Sequence, residues 1–165
     1  MIEPLGLLLL PARLEEFELA AHARDLLDIP RVIALEPSRV RIPRILREAA
    51  PARAAKRLRL PGEPRLLVLY HPRQYPLARA LQARYGEAEL WYLRPDRAAL
   101  AATGEREREE LDELDELACA RATEARVISQ LADARELREP LRLRLRELEI
   151  ISARPFVPGA RVSRR

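Results

Sequence analysis

Short apolar runs alternate with longer segments of helical spacing along most of the chain. Continuous apolar runs predict five buried strands, at residues 5–10, 32–35, 66–70, 90–93 and 127–129. Apolar residues at three- and four-residue steps predict helices, at residues 14–27, 76–85 and 105–121. Alternating strands and helices favour an α/β fold, a three-layer sandwich with a mainly parallel sheet of about five to six strands.

Two other regions have mixed signals. Residues 43–59 predict a basic helix that is interrupted or kinked near Pro51. Residues 131–138 predict a short helix that Pro140 stops. Leucine and arginine then alternate over residues 141–145, which fits a half-buried strand, although the same residues also fit a continuation of the preceding helix. Residues 148–151 predict a last strand.

Polar side chains follow two neighbouring predicted strands. His71, Arg73 and Gln74 come after residues 66–70, and Asp96 comes after residues 90–93. Ligands of parallel α/β sheets bind beyond the carboxyl ends of the strands. The sequence therefore predicts a ligand-binding site made of these four residues.

The chemistry of these side chains leaves alternatives open. A neutral imidazole at His71 suits a sugar hydroxyl or a proton transfer near neutral pH, or it is satisfied by nearby backbone. Arg73 and Gln74 suit an anionic or hydroxylated ligand. Asp96 either orients a ligand hydroxyl or caps the helix that follows it.

Composition fits one globular domain. The chain has 165 residues, of which 48% are hydrophobic, enough for a single core. We assign residues 1–158 to one domain and residues 159–165 to a basic tail. The N-terminus lacks the basic region and long apolar run of a secretory signal, so a cytoplasmic protein is expected.

The charges are unevenly distributed around a net charge of +4. Residues 31–65 hold ten basic and three acidic residues, whereas residues 105–116 hold eight acidic and two basic ones. The basic stretch at residues 39–59 has no interleaved aromatic residues, which argues against nucleic-acid binding by base stacking. Contact with nucleic-acid phosphates alone stays open as a weaker alternative, that of a nucleic-acid accessory protein. The acidic run predicts a solvated helix face, and a basic helix would suit an anionic membrane surface.

Several kinds of site lack their signature. A single cysteine, Cys119, and two histidines predict no disulfide and no metal site. No glycine-rich phosphate-binding motif occurs, so no cofactor is expected. Ser129 ends a predicted strand but lacks the surrounding glycines of a hydrolase nucleophile.

Three segments together resemble the N-terminal Rossmann-like domain of GT-B (family-4-like) glycosyltransferases. The first is the strand ending in His71-Pro72, with Tyr75-Pro76-Leu77-Ala78-Arg79 and the strand ending at Asp96. The second is residues 113–129, an acidic helix, an alanine-rich turn and a strand ending in serine. The third is residues 148–158, similar to the strand and loop that close the domain.

The resemblance implies an acceptor-side domain that is incomplete as an enzyme on its own. In that family a second domain carries most of the nucleotide-sugar site. The implied partners are therefore a second GT-B-type domain or subunit and a nucleotide-sugar or acceptor ligand. Pro11-Ala12-Arg13 follows the first strand where a glycine-rich turn would approach a phosphate. The alternative is a non-catalytic Rossmann-like module that binds proteins through its charged faces.

Overall fold

A computed structural model describes residues 4–10, 26–35, 49–86, 88–95, 104–128 and 131–153. The strands are β1 (Pro4–Leu9), β2 (Val32–Leu35), β3 (Glu63–Leu69), β4 (Glu89–Pro95) and β5 (Glu124–Ile128). The helices are α1 (Ala50–Arg57), α2 (Tyr75–Tyr85), α3 (Glu105–Arg121) and α4 (Leu131–Ala153), with a 3-10 turn at Pro72–Gln74. The predicted tail at residues 159–165 lies outside the described residues.

All five strands form one parallel sheet in the order β2-β1-β3-β4-β5. The α/β sandwich predicted from the apolar runs is therefore confirmed. This order is doubly wound, and its direction reverses between β1 and β3. The carboxyl ends of these two strands consequently border the crevice in which such folds bind ligands.

Helices cover both faces of the sheet because side chains of each strand alternate between two cores. Leu66, Val68 and Tyr70 face α4 and residues 26–29, whereas Leu67 and Leu69 face α1, α2 and α3. The four β3 residues at positions 66–69 are completely buried. An uninterrupted apolar run is what a strand buried on both faces requires.

Prolines mark the start of two helices. Pro51 lies in the first turn of α1 and Pro76 in the first turn of α2, where the missing N–H leaves no helical bond unmade. The described helix α1 begins at Ala50, so Pro51 starts this helix and does not kink it. Residues 43–48 of the predicted basic helix lie outside the described residues.

The C-terminal region differs from the sequence prediction. The predicted strands at residues 141–145 and 148–151 are wrong, because both belong to the 23-residue helix α4. Pro140 lies inside this helix and does not end it. Leu137, Leu141 and Leu145 recur every four residues and are buried, whereas Leu143 is 48% exposed. The helix thus buries the row of leucines spaced four residues apart and leaves Leu143, on another face, in contact with solvent.

Helix α4 runs back across the sheet, from the carboxyl ends of the strands toward their beginnings. Its later residues contact the beginnings of three strands. Leu145 packs against Gly6 of β1, and Arg144 Nε donates to Glu89 Oε2 of β4 at 2.9 Å. Glu149 pairs with Arg31, just before β2, at 3.3 Å. Within the described part of the chain, no helix combines the length and apolarity needed to cross a membrane.

Candidate functional site

The candidate site lies where β1 and β3 end beside each other. Leu10 follows β1, and its N–H donates to Leu35 O of β2 at 3.1 Å. After β3 the chain passes through buried Tyr70 into His71 and the 3-10 turn Pro72–Gln74. The predicted candidates His71, Arg73 and Gln74 therefore share one short turn at this edge. Asp96 and Ser129 lie outside the described residues.

His71 begins the turn and is held as a neutral imidazole. Its Nδ1 accepts a hydrogen bond from the Arg73 N–H at 3.2 Å. Burial, and secondarily the positive charge of Arg73, lowers the pKa of His71 from 6.5 to about 4. A neutral ring whose Nδ1 accepts carries its hydrogen on Nε2. At pH 7 the ring therefore offers one donor at Nε2 and no charge.

Gln74 joins the two strand ends. Its side-chain Nε2 donates to the Leu10 backbone O, which ties the turn after β3 to the end of β1. The Leu10 carbonyl only accepts, so the amide nitrogen must face it and the orientation of the Gln74 amide is fixed. Gln74 Oε1 is buried and has no hydrogen-bond partner among the described residues.

Gln82 on α2 differs, because both the nitrogen and the oxygen of its side-chain amide are hydrogen-bonded. Its Nε2 donates to Ala88 O at 2.7 Å, and its Oε1 accepts from Arg79 at 2.9 Å. A buried acceptor without a donor costs about 1–3 kcal/mol relative to its hydrated state. The unpaired Oε1 of Gln74 therefore marks a position where an external donor would be stabilising.

The positive charge of Arg73 is paired within the protein. Its guanidinium forms an ion pair with Glu107 in the first turn of α3, and its side chain is half exposed. The ion pair fastens the 3-10 turn to α3 and compensates the positive charge beside His71. An anionic ligand at Arg73 would therefore have to compete with Glu107 for the guanidinium group.

Comparisons of the chain with family models, curated proteins and solved structures return no match. The residues and contacts of the site therefore carry the functional argument.

A buried charge cluster next to the site was missed by the sequence prediction. Asp115 of α3 is completely buried. Its Oδ1 accepts from Tyr92 OH at 2.7 Å and from Arg94 Nε at 3.0 Å, and Arg94 also pairs with Oδ2. Burial, followed by the hydrogen bond to Asp115, raises the pKa of Tyr92, so its hydroxyl remains a donor.

Asp115 corrects the expectation that the whole acidic run is solvated. It lies four residues after buried Leu111 and three before buried Ala118, and hence on the apolar stripe of α3. That spacing was the available signal, together with Arg94 at the end of a buried strand. Across the described ranges, no three His, Cys, Asp or Glu side chains are grouped so that they could hold a metal ion.

The low pKa of His71 predicts a loss of stability in acid. The unfolded chain protonates near pH 6.5 and the folded one near 4, so the contribution is complete above 6.5 and is lost between 6.5 and about 4. We expect the free energy of unfolding of the wild type to fall, relative to His71→Gln, by about 1–3 kcal/mol over this interval. Urea unfolding at pH 7 and 4.5 measures it. Parallel curves for the two proteins would contradict it.

Proposed function

We propose that the β1–β3 crevice binds a neutral, hydroxylated ligand such as a sugar, as the acceptor-side domain of a GT-B-type glycosyltransferase. The observation that carries the proposal is the buried Oε1 of Gln74, which has no partner in the described part of the chain and lies where the sheet order reverses. A hydroxyl of the ligand would donate a hydrogen bond to Gln74 Oε1, which otherwise bears the cost of desolvation.

Two groups of opposite hydrogen-bonding character belong to the same turn. Gln74 Oε1 accepts, and the neutral His71 ring donates through Nε2. A hydroxyl group both donates and accepts, so neighbouring hydroxyls of one polyol match this pair. The fully ionised diphosphate of a nucleotide sugar offers acceptors alone and leaves Gln74 Oε1 without a donor.

The local charge also favours a neutral ligand. Arg73 is paired with Glu107, and His71 is uncharged at pH 7. The first strand continues into Pro11-Ala12-Arg13, without glycines that let backbone N–H groups surround a phosphate. These features support the acceptor, and not the sugar nucleotide, as the ligand of this domain.

A domain of this kind would not complete glycosyl transfer by itself. Transfer needs donor and acceptor held together, and positioning supplies much of the rate. The proposal therefore assigns donor binding to a second domain or subunit. Robust transfer from a nucleotide sugar by this chain alone, lost in His71→Ala, would contradict that assignment.

Sugar binding can be tested by NMR on the isotope-labelled chain. We expect glucose and methyl glucoside to shift the Gln74 side-chain amide and the His71 ring saturably, at roughly millimolar concentrations, because few hydrogen bonds are added. Gln74→Leu should abolish the saturable shift of the His71 ring, which remains observable in this variant. Gln82→Leu is the matched control, since it removes a glutamine from the same domain whose two amide groups are already paired.

Inorganic phosphate and a nucleoside diphosphate sugar are the comparison ligands. Phosphate binding that exceeds sugar binding would overturn the neutral-ligand proposal. The absence of saturable shifts with every sugar would also overturn it, and would leave an ordered water as the partner of Gln74 Oε1. The alternative, a protein-interaction module acting through charged helix faces, would gain support from that result.

A further inference from the structure

Strand β5 forms one edge of the sheet. β4 is its one neighbouring strand among the described residues. Ala125 and Arg126 are exposed, and Val127 is 58% exposed. An edge strand presents unpaired backbone N–H and C=O groups that can pair with a further strand. The opposite edge strand β2 differs, because Val32 is buried and the rest of that strand is partly buried.

The side chains of β5 are complementary to themselves. Glu124 and Arg126 lie on the same face of the strand and form an exposed ion pair, Nε to Oε1, at 2.8 Å. Their side chains are 38% and 48% exposed, so each has room for a second partner. We propose that β5 pairs with β5 of a second copy of this chain, antiparallel across a two-fold axis.

Backbone geometry limits the registers of such a pair. In an antiparallel ladder, two opposed residues either both direct their backbone groups at each other or both direct them away. In a two-fold pair of identical strands, opposed residue numbers therefore sum to an even number. The two-fold axis can therefore lie at any of the five residues of β5. Glu124 opposes Arg126 when the axis lies at Ala125, and Glu124 or Arg126 opposes itself when the axis lies at that residue. With the axis at Val127 or Ile128, neither charged residue opposes a charged residue of β5.

One of these registers joins unlike charges. With Ala125 on the two-fold axis, Glu124 of each copy opposes Arg126 of the other, and two ion pairs form on one face of the joined sheet. An axis at Glu124 or at Arg126 opposes like charges, which destabilises a strand pair. An axis at Val127 or Ile128 forms no ion pair within β5. The charges thus select the register, and the partner they fit is the same sequence in reverse direction.

The pairing would join the two sheets into one continuous sheet through an isologous interface. A five-residue strand buries little area, so the dimer is expected to be weak and concentration dependent. In an antiparallel pair the carboxyl ends of the two sheets point in opposite directions. Each copy therefore keeps its own β1–β3 crevice, and the dimer does not depend on the proposed sugar binding.

Charge reversal provides the test, measured by sedimentation velocity over roughly a hundredfold range of concentration at low salt. We expect the wild type to dimerise, and Arg126→Glu and Glu124→Arg to remain monomeric, because each variant opposes like charges in the proposed register and no other register of β5 supplies an ion pair. An equimolar mixture of the two variants should form heterodimers, since the two glutamates on β5 of one variant then oppose the two arginines on β5 of the other.

Arg142→Glu, on the exposed face of α4, is the control and should dimerise as the wild type does. Circular dichroism checks that each variant is folded, which is expected because both altered side chains are exposed. A wild type that stays monomeric at the highest concentration would overturn the proposal. Single variants that dimerise, or a mixture that stays monomeric, would overturn the assigned register.

Discussion

Replacing Arg94 by methionine should lower the free energy of unfolding by up to about 3–5 kcal/mol, the cost of leaving a buried carboxylate without its charged partner, although the Arg94 side chain itself is 27% exposed. Asp115 is completely buried, and the described structure offers its carboxylate two partners, Arg94 and the hydroxyl of Tyr92. Methionine fills roughly the space of the aliphatic part of arginine without replacing the two guanidinium hydrogen bonds. The carboxylate would then remain buried with one neutral donor.

Urea unfolding of two further variants separates this effect from lost packing. Arg94→Met combined with Asp115→Leu should recover part of the loss, because no charge then remains buried. Arg142→Met removes an exposed arginine paired with Glu139 and should leave the unfolding midpoint unchanged. A loss below about 1 kcal/mol for Arg94→Met would mean that water or another group reaches Asp115.

Leu141→Ala and Leu143→Ala should differ strongly in stability, although both remove the same atoms. Leu141 is completely buried, and its truncation is expected to cost about 2–5 kcal/mol. Leu143 is 48% exposed and should cost less than about 0.5 kcal/mol. Comparing the two by urea unfolding tests the conformation of residues 141–145 directly.

A strand at this position would give equal losses of stability for the two variants. Residues 141, 143 and 145 would share one face of a strand, so Leu141→Ala and Leu143→Ala would cost similar amounts. Similar losses for the two variants would therefore contradict helix α4. Leu145→Ala, which is expected to resemble Leu141→Ala in either case, confirms that the core beside β1 is intact in the reference protein.

The apolar runs predicted the sheet because a strand buried on both faces needs no other pattern. Residues 66–70 and 90–93 fall within or next to β3 and β4, and helix α3 has the predicted bounds. The C-terminal part of α4 was predicted as strand because leucine at positions 141, 143 and 145 has the two-residue period of a strand, and Pro140 suggested the end of a helix. Leu137, Leu141 and Leu145 also have the four-residue spacing of one helix face. Burial of one row against β1 and β3 decided between them, and that is a tertiary effect.

The position of the candidate site was predictable, but its hydrogen-bonding state was not. Strand ends and polar loops placed His71 and Gln74 at one edge of the sheet. The orientation of the Gln74 amide, whose Oε1 has no partner among the described residues, depends on the Leu10 backbone, 64 positions earlier in the chain. Asp115 likewise appeared as one member of an acidic run, because Arg94 meets it through packing of α3 on β4.

If the proposed function holds, the direction of α4 limits where a donor-binding domain could be attached. Its 23 residues are about 34 Å long and carry the backbone from the crevice side of the sheet to the opposite side. A domain fused directly after Ala153 would face away from Gln74. Returning along the helix takes roughly 10–12 extended residues, at about 3.3 Å each. A single-chain enzyme built from this domain therefore needs a linker of at least that length, whereas a separate subunit can approach the crevice directly.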